Sequence, residues 1–201
     1  MRLLLASSNP GKLSEYRALA SQNARSLAVD LDLLPDFSRL PPFHESAPTF
    51  AENAAGKALH FSRFAQDAVL ADDSGLVVDA LAGAPGVHSA RYAGAEATDA
   101  QRVAKLLAEL RTAGATGRRA RFVCILALAR KGRALGIFSA AVEGEITDSP
   151  RGAGGFGYDP VFFLPALGKT FAEIPGESKN LYSHRGQAFR KLLDFLASSP
   201  D

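Results

Sequence analysis

The chain has 201 residues, 47% hydrophobic and 22% charged, a balance that suits one globular domain, or one domain with two lobes, able to bury a core without staples. A net charge of +2 is too small for the clustered basic face of a nucleic-acid binder, and no apolar run reaches the ~18 residues of a membrane helix, so neither nucleic acid nor membrane is an expected partner. The single cysteine, Cys124, excludes an internal disulfide framework and fits a reducing compartment, the cytoplasm.

The apolar run in Arg2 to Ala6 stops at Ser7, too short for a signal-peptide core, and reads as a buried strand. A polar loop, Ser7-Ser8-Asn9-Pro10-Gly11-Lys12, leads into a helix marked by Leu13, Tyr16, Leu19, Ala20 and Asn23 at spacings of three and four. Leu27, Val29, Leu31 and Leu33 alternate as a strand does, and a Pro-rich loop runs from Pro35 to Pro48. Thr49-Phe50-Ala51-Glu52 is a capping box that opens a helix with Phe50, Ala54, Ala58, Phe61 and Ala65 in period. A strand from Ala68 to Ala71 is expected to end at Asp72-Asp73-Ser74-Gly75. A second capping box, Thr98-Asp99-Ala100-Gln101, opens a helix with Val103, Leu106, Leu107 and Leu110 on one face. Phe122 to Ala129 and Leu135 to Val142 read as a hairpin turning near Lys131-Gly132. A glycine-rich loop spans Pro150 to Pro160, and a last helix runs from about Arg185 to Leu196, with Ala188, Phe189, Leu192, Leu193 and Leu196 inward. Helices and strands interleave around one hairpin, which predicts an α/β protein with a mixed β-sheet flanked by helices.

Several segments carry groups suited to chemistry. Asn9-Pro10-Gly11-Lys12 lies between a strand and a helix, where backbone N–H groups and a lysine attract anions; an ordinary turn is the alternative. It is not a Walker loop, because the first glycine is missing. Asp72-Asp73-Ser74-Gly75 offers two carboxylates of the kind that hold Mg²⁺, or else an Asx-turn. On a straight strand the two point to opposite faces, so one Asp can serve a ligand while the other supports the loop. Glu52 is explained by its capping box, whereas Glu45 has no such local explanation. Lys57 sits on the same helix, where a solvated lysine is the ordinary alternative. Gly152 to Pro160 sets four glycines around Phe156 and Tyr158, and a little-covered Phe156 can stack on a planar base. His184 and Arg185 place donors at the start of the last helix, where the helix dipole disfavours a cation, and that misplacement favours a functional reading. No Ser-His-Asp or zinc constellation is visible.

Taken in order, the segments Ser7 to Lys12, Thr49 to Ala54 with Lys57, Ala71 to Leu76, Ala84 to Tyr92, Gly154 to Pro160 and Ser183 to Ala188 resemble the inosine triphosphate pyrophosphatase family over nearly the whole chain. The resemblance implies one NTP pyrophosphatase domain over residues 1–201, built as two lobes around a central substrate cleft and assembled as a homodimer. It implies Mg²⁺-dependent cleavage of ITP, dITP and XTP between the α and β phosphates, which cleanses the nucleotide pool. By that similarity Ser7, Ser8, Asn9, Lys12, Lys57 and Ser74 hold the triphosphate, Glu45 and Asp73 hold Mg²⁺, and Asp73 and Lys57 are the catalytic residues, Asp73 helping to activate water. Phe156, Gly157, Tyr158, Asp159, Lys179, His184 and Arg185 then form the nucleoside site. The run His44-Glu45-Ser46-Ala47-Pro48 departs from the family pattern, which often carries a second acid and a Glu-Thr-Gly step, so Asp72 is a further candidate for the metal.

Overall fold

The computed structural model describes residues 1–23, 28–114 and 116–198. Within them a seven-stranded sheet runs in the order β2-β1-β3-β4-β5-β6-β7. These strands are β1 (Arg2–Leu5), β2 (Asp30–Leu33), β3 (Ala68–Val78), β4 (Arg119–Arg130), β5 (Arg133–Ile146), β6 (Phe162–Leu164) and β7 (Lys169–Thr170). The helices are α1 (Pro10–Gln22), α2 (Phe50–Phe61), α3 (Asp99–Thr112), α4 (Gly176–Tyr182) and α5 (His184–Ser198). β1 is parallel to β2 and β3, while β6 is antiparallel to β5 and β7, so the sheet is mixed and open, as the sequence predicts.

The chain forms two compact units. The first comprises residues 1–73, 124–140 and 184 onward, and the second comprises 74–123 and 141–183. In the first unit, strand alternation sorts the apolar side chains. Leu3, Leu5, Leu70, Cys124, Leu126 and Leu128 join Tyr16 and Leu19 of α1 and Phe189 and Leu192 of α5 in one core. Leu4, Ala6, Val69, Ala71, Ala127 and Ala129 face the other way, with Ala54, Ala58 and Phe61 of α2. Period two in the strands and 3.6 in the helices are enough to produce these layers. The second unit packs Val103, Leu106, Leu107 and Leu110 of α3 with Leu76, Val78, Phe122, Val142, Phe162 and Phe171. Each such side chain contributes about 1.5–3 kcal/mol of apolar burial.

The helix starts lie where the local chemistry puts them. Asn9 caps α1, with Pro10 at its first position. The Thr49 hydroxyl accepts the Glu52 N–H and donates to the Glu52 carboxylate, so Glu52 is engaged at the cap. Thr98 and Gln101 make a complete capping box. The hairpin turns at Lys131-Gly132, both with positive φ (50° and 75°), the conformation of a two-residue hairpin turn.

Two sequence expectations change. The strand expected to stop at Ala71 continues through Asp72-Asp73-Ser74-Gly75 to Val78. Aspartates disfavour strands, but here pairing with β4 and the partners of the buried Asp72 carboxylate outweigh propensity. The strand read over Leu27 to Leu33 is confined to Asp30–Leu33, and Leu27 lies outside the described residues. α4 and the short strands β6 and β7 carry no periodic signal, being two to seven residues long. No helix among the described residues is long and apolar enough to cross a membrane.

Candidate active site

In the first unit, chemistry gathers at the middle of β3. Asp72 and Asp73 are 1% and 5% exposed, and strand alternation points them to opposite faces. Asp72 shares the face of Leu70, toward α1 and α5. Its carboxylate accepts the Tyr16 hydroxyl (2.7 Å) and the Arg185 Nε–H (3.2 Å), and pairs with Lys12 Nζ (3.2 Å). Its backbone carbonyl accepts Lys57 Nζ (2.8 Å) and Lys12 Nζ (3.3 Å). One residue therefore collects three cations from three helices. Arg185 Nη1 also donates to Glu15 (3.0 Å). Burial opposes the Arg185 charge, but Glu15 and Asp72 outweigh it and raise its pKa. Lys12 behaves differently. Burial lowers its pKa, and Lys57 and Arg185 add to that against the pull of Asp72. Crowded, desolvated cations of this kind are stabilised by a polyanion.

Asp73 faces α2 instead. Its Oδ2 is buried and has no hydrogen-bond partner. Burial first and nearby Glu45 second raise its pKa, against an Asn53 hydrogen bond and the charges of Lys12 and Lys57, to about 6. Glu45 pairs with Lys57 Nζ. Asn53 is 1% exposed and grips the loop carrying Glu45, accepting the Ala47 N–H (3.0 Å) and donating to the Ala47 carbonyl (3.3 Å). A buried, orphaned carboxylate oxygen beside a second carboxylate fits a small hard cation, which takes one or two carboxylates and fills its remaining positions with water and substrate oxygens. The two acids are fewer than an all-protein metal cage needs, and no group of three or more His, Cys, Asp or Glu is found among the described residues. The carboxylate of Asp72 is already committed to Tyr16, Arg185 and Lys12.

The Ser7-to-Lys12 loop differs from a bare nest of amides. Asn9 Oδ1 accepts the Gly11 and Lys12 N–H groups (2.9 and 3.2 Å), and Ser7 Oγ accepts the Asn9 N–H (3.1 Å). Ser8 and Asn9 are exposed. The cationic contribution of this loop is thus the Lys12 side chain.

In the second unit the glycine-rich loop surrounds a buried ion pair. Lys179 Nζ, on α4, donates to Asp159 Oδ2 (2.6 Å), and both side chains are 4% exposed. The same Asp159 oxygen accepts the Phe156 N–H (2.9 Å). The ammonium lies 5.3 Å from the centroid of the half-buried Phe156 ring and 5.6 Å from that of Phe171, within cation–π range. Gly157 N–H donates to Asp99 Oδ2 (2.7 Å). Tyr158 is buried, its hydroxyl donating to the Ser89 carbonyl (2.9 Å), so it props the loop from beneath. Ser74 is half-buried at the start of this unit.

Glycine is required here for a definite reason. At Gly155 (φ +72°) a Cβ would overlap the Asp159 carboxylate. Gly155→Ala is expected to cost at least about 2 kcal/mol from left-handed strain and displacement of the Asp159–Lys179 pair. Thermal unfolding would show a drop of about 4–8 °C, and an unchanged Tm would refute the close packing.

The expected site residues thus fall into two groups. Asn9, Lys12, Glu45, Lys57, Asp73, His184 and Arg185 belong to the first unit, and Ser74, Phe156, Gly157, Tyr158, Asp159 and Lys179 to the second. His184 and Arg185, expected beside the nucleoside residues, are buried (1% and 7% exposed), and Arg185 is tied to Asp72 and Glu15. Sequence reading missed the polar work of Tyr16, Glu15, Asn53 and Asp99. Tyr16 registers only as a core position and Asp99 only as part of a cap. Asn53 alone left a signal, a polar residue on the apolar side of α2.

A model of the Ham1 family matches residues 3–195. The chain belongs to the Ham1 family. Among its Ham1 relatives, a dITP/XTP pyrophosphatase of Geobacillus kaustophilus is 50% identical over 190 residues, 94% of this chain and 91% of that protein. The dITP/XTP pyrophosphatase of Geobacter sulfurreducens is 48% identical over 195 residues, covering 97% and 96% respectively. The chain is also similar to the solved structure of a HAM1 protein from Coxiella burnetii, with a TM-score of 0.87 at 42% identity, over 99% of this chain and all (100%) of that one.

Proposed function

We propose that this Ham1 protein hydrolyses non-standard purine nucleoside triphosphates (ITP, dITP and XTP) to the monophosphate and pyrophosphate, with Mg²⁺, and so cleanses the nucleotide pool of the cytoplasm. The observation that carries the reading is the division of labour at adjacent residues of β3. Asp72 gathers Lys12, Lys57 and Arg185, while Asp73 keeps a buried, unpartnered oxygen beside Glu45. Three cations suit a triphosphate, and Glu45 with Asp73 would hold the metal. A Mg²⁺ ion held there would supply charge neutralisation for the phosphates and orientation for the attacking water. Asp73 is the carboxylate placed to act as the base. It takes a proton as the water oxygen bonds to the α-phosphorus. The bond from that phosphorus to the bridging oxygen breaks, and its electron pair leaves on pyrophosphate.

The buried Lys179–Asp159 pair supports the choice of base. An ammonium only donates and a carboxylate only accepts, which complements the 6-keto oxygen and N1–H of hypoxanthine and xanthine. Adenine presents an amino group and a bare N1, and would leave both buried groups mismatched. Phe156 adds a stacking face, worth about 1–3 kcal/mol per base in nucleic-acid binders. The homodimer implied by the sequence resemblance is part of the same proposal and is read by sedimentation equilibrium.

The test is release of pyrophosphate from ITP, dITP, XTP, GTP, ATP and dUTP, with Mg²⁺ and with chelator. Turnover of ITP and XTP is expected to exceed that of ATP by about 10³-fold or more and to vanish with chelator. Orthophosphate as the product, or ATP as an equal substrate, would overturn the reading.

A further inference from the structure

The loop from Gly152 to Asp159 contains four glycines, three of them with positive φ (Gly152, Gly155 and Gly157). A segment with that much conformational freedom does not hold a base-binding geometry unaided. Local and basal ties steady part of it. Arg151 N–H donates to the Pro160 carbonyl (2.8 Å), Gly154 N–H to the Ala172 carbonyl (3.0 Å), and Phe156 N–H to Asp159. At Gly157 there is nothing within 4 Å of where a Cβ would lie, so no neighbour closes over that side of the residue. What does reach it is Asp99, 58 residues away in sequence, through a 2.7 Å hydrogen bond from the Gly157 N–H to Oδ2.

Asp99 is itself firmly held. It is the first residue of α3, inside the complete Thr98–Gln101 capping box. Its other oxygen accepts Arg102 Nη2 (2.6 Å), and Arg102 also donates to the carbonyls of Ala90 (2.9 Å) and Ala97. Partial burial opposes the Asp99 charge, but the Gly157 N–H and the Arg102 guanidinium outweigh it, leaving the carboxyl below its usual range. A carboxylate accepting a backbone N–H makes a charge-assisted bond, stronger than a neutral one.

We propose that Asp99 is a positioning residue for base recognition: it anchors the tip of the glycine-rich loop to helix α3 through the Gly157 N–H, and so sets both affinity and selectivity for the purine. This rests on the base-pocket reading above. Asp99 touches neither substrate nor reacting atoms in this role. Its effect is therefore expected in KM and in the choice of base, and kcat should hardly change.

The experiment compares Asp99→Ala, Asp99→Asn and Thr98→Ala with the wild type. It reads kcat and KM for ITP and ATP, and amide hydrogen exchange of peptides covering residues 152–160. Asp99→Ala is expected to raise KM for ITP about tenfold, to keep kcat within about threefold, and to speed exchange of the loop. Asp99→Asn retains an acceptor oxygen and is expected to bring KM back to within about threefold of wild type. Thr98→Ala weakens the same helix start but keeps the Gly157 bond, so its KM and loop exchange should match the wild type. The proposal fails if Asp99→Ala leaves KM and exchange unchanged, if Thr98→Ala reproduces its effect, or if Asp99→Asn behaves as Ala does. A wild type with no preference for ITP over ATP removes the base-pocket reading and this inference together. Failure of the inference alone is recognised by an intact wild-type preference that Asp99→Ala retains.

Discussion

Asp73→Asn is expected to abolish pyrophosphate release, by about 10³-fold or more, and at the same time to make the metal-free protein more stable at about pH 8. The two effects have one cause. The Asp73 carboxyl is buried, and its pKa is raised to about 6, first by desolvation and then by Glu45. The unfolded chain has an ordinary value near about 4. The fold therefore favours the protonated form. The contribution is fully present below about pH 4 and is lost as pH rises through about 6, leaving the charged carboxylate a net cost above that. A shift of about two units corresponds to about 3 kcal/mol. Asparagine keeps the shape without the charge, so the variant should melt about 6–12 °C higher than wild type at about pH 8 in chelator. The difference should shrink toward zero at about pH 4.5. Equal melting temperatures at the higher pH would mean that the carboxylate is already compensated in the free protein. Appreciable residual turnover would remove Asp73 from the catalytic role.

Lys179→Met should show the opposite pattern, losing stability and selectivity together. Lys179 and Asp159 are each 4% exposed at the side chain and joined at 2.6 Å. Removing one partner of such a pair leaves an uncompensated buried charge and costs about 3–5 kcal/mol. For a chain of this size that is a fall of about 6–20 °C in Tm. The double variant Lys179→Met/Asp159→Asn removes the charge that was stranded and should recover part of the stability. It should not recover base choice, because the donor–acceptor pair that reads the 6-keto face is gone. The preference for ITP over ATP in kcat/KM is expected to drop from about 10³ to about 10 or less in both variants. A Lys179→Met protein that still rejects ATP would place base recognition elsewhere. A double variant no more stable than Lys179→Met would show that burial of charge is not what the pair manages.

How much of this was legible in the residues depends on the distance over which each feature is determined. The starts of α2 and α3 follow from Thr49 with Glu52 and Thr98 with Gln101, contacts three residues apart. The layers of the first unit follow from alternation in Leu3 to Ala6 and from the spacing of Ala188, Phe189, Leu192 and Leu193. The hairpin follows from Lys131-Gly132. Alternation also foretold that Asp72 and Asp73 serve different sides, although the strand itself was expected to end before them.

The sequence by itself therefore determined the helix starts, the strand faces and the mixed α/β class, because caps, turns and periodicity are local. Only the tertiary structure decided what those residues do to one another. Tyr16 and Arg185 meet Asp72 from 56 and 113 residues away, Lys12 and Lys57 meet its carbonyl, and Asp99 holds Gly157 across 58 residues. Such contacts are set by which elements pack together, and a hydroxyl, amide or carboxylate leaves no periodic trace of the partner that packing will bring to it. The raised pKa of Asp73 belongs to the same class, since desolvation and a neighbouring Glu45 exist only once the chain has folded around it.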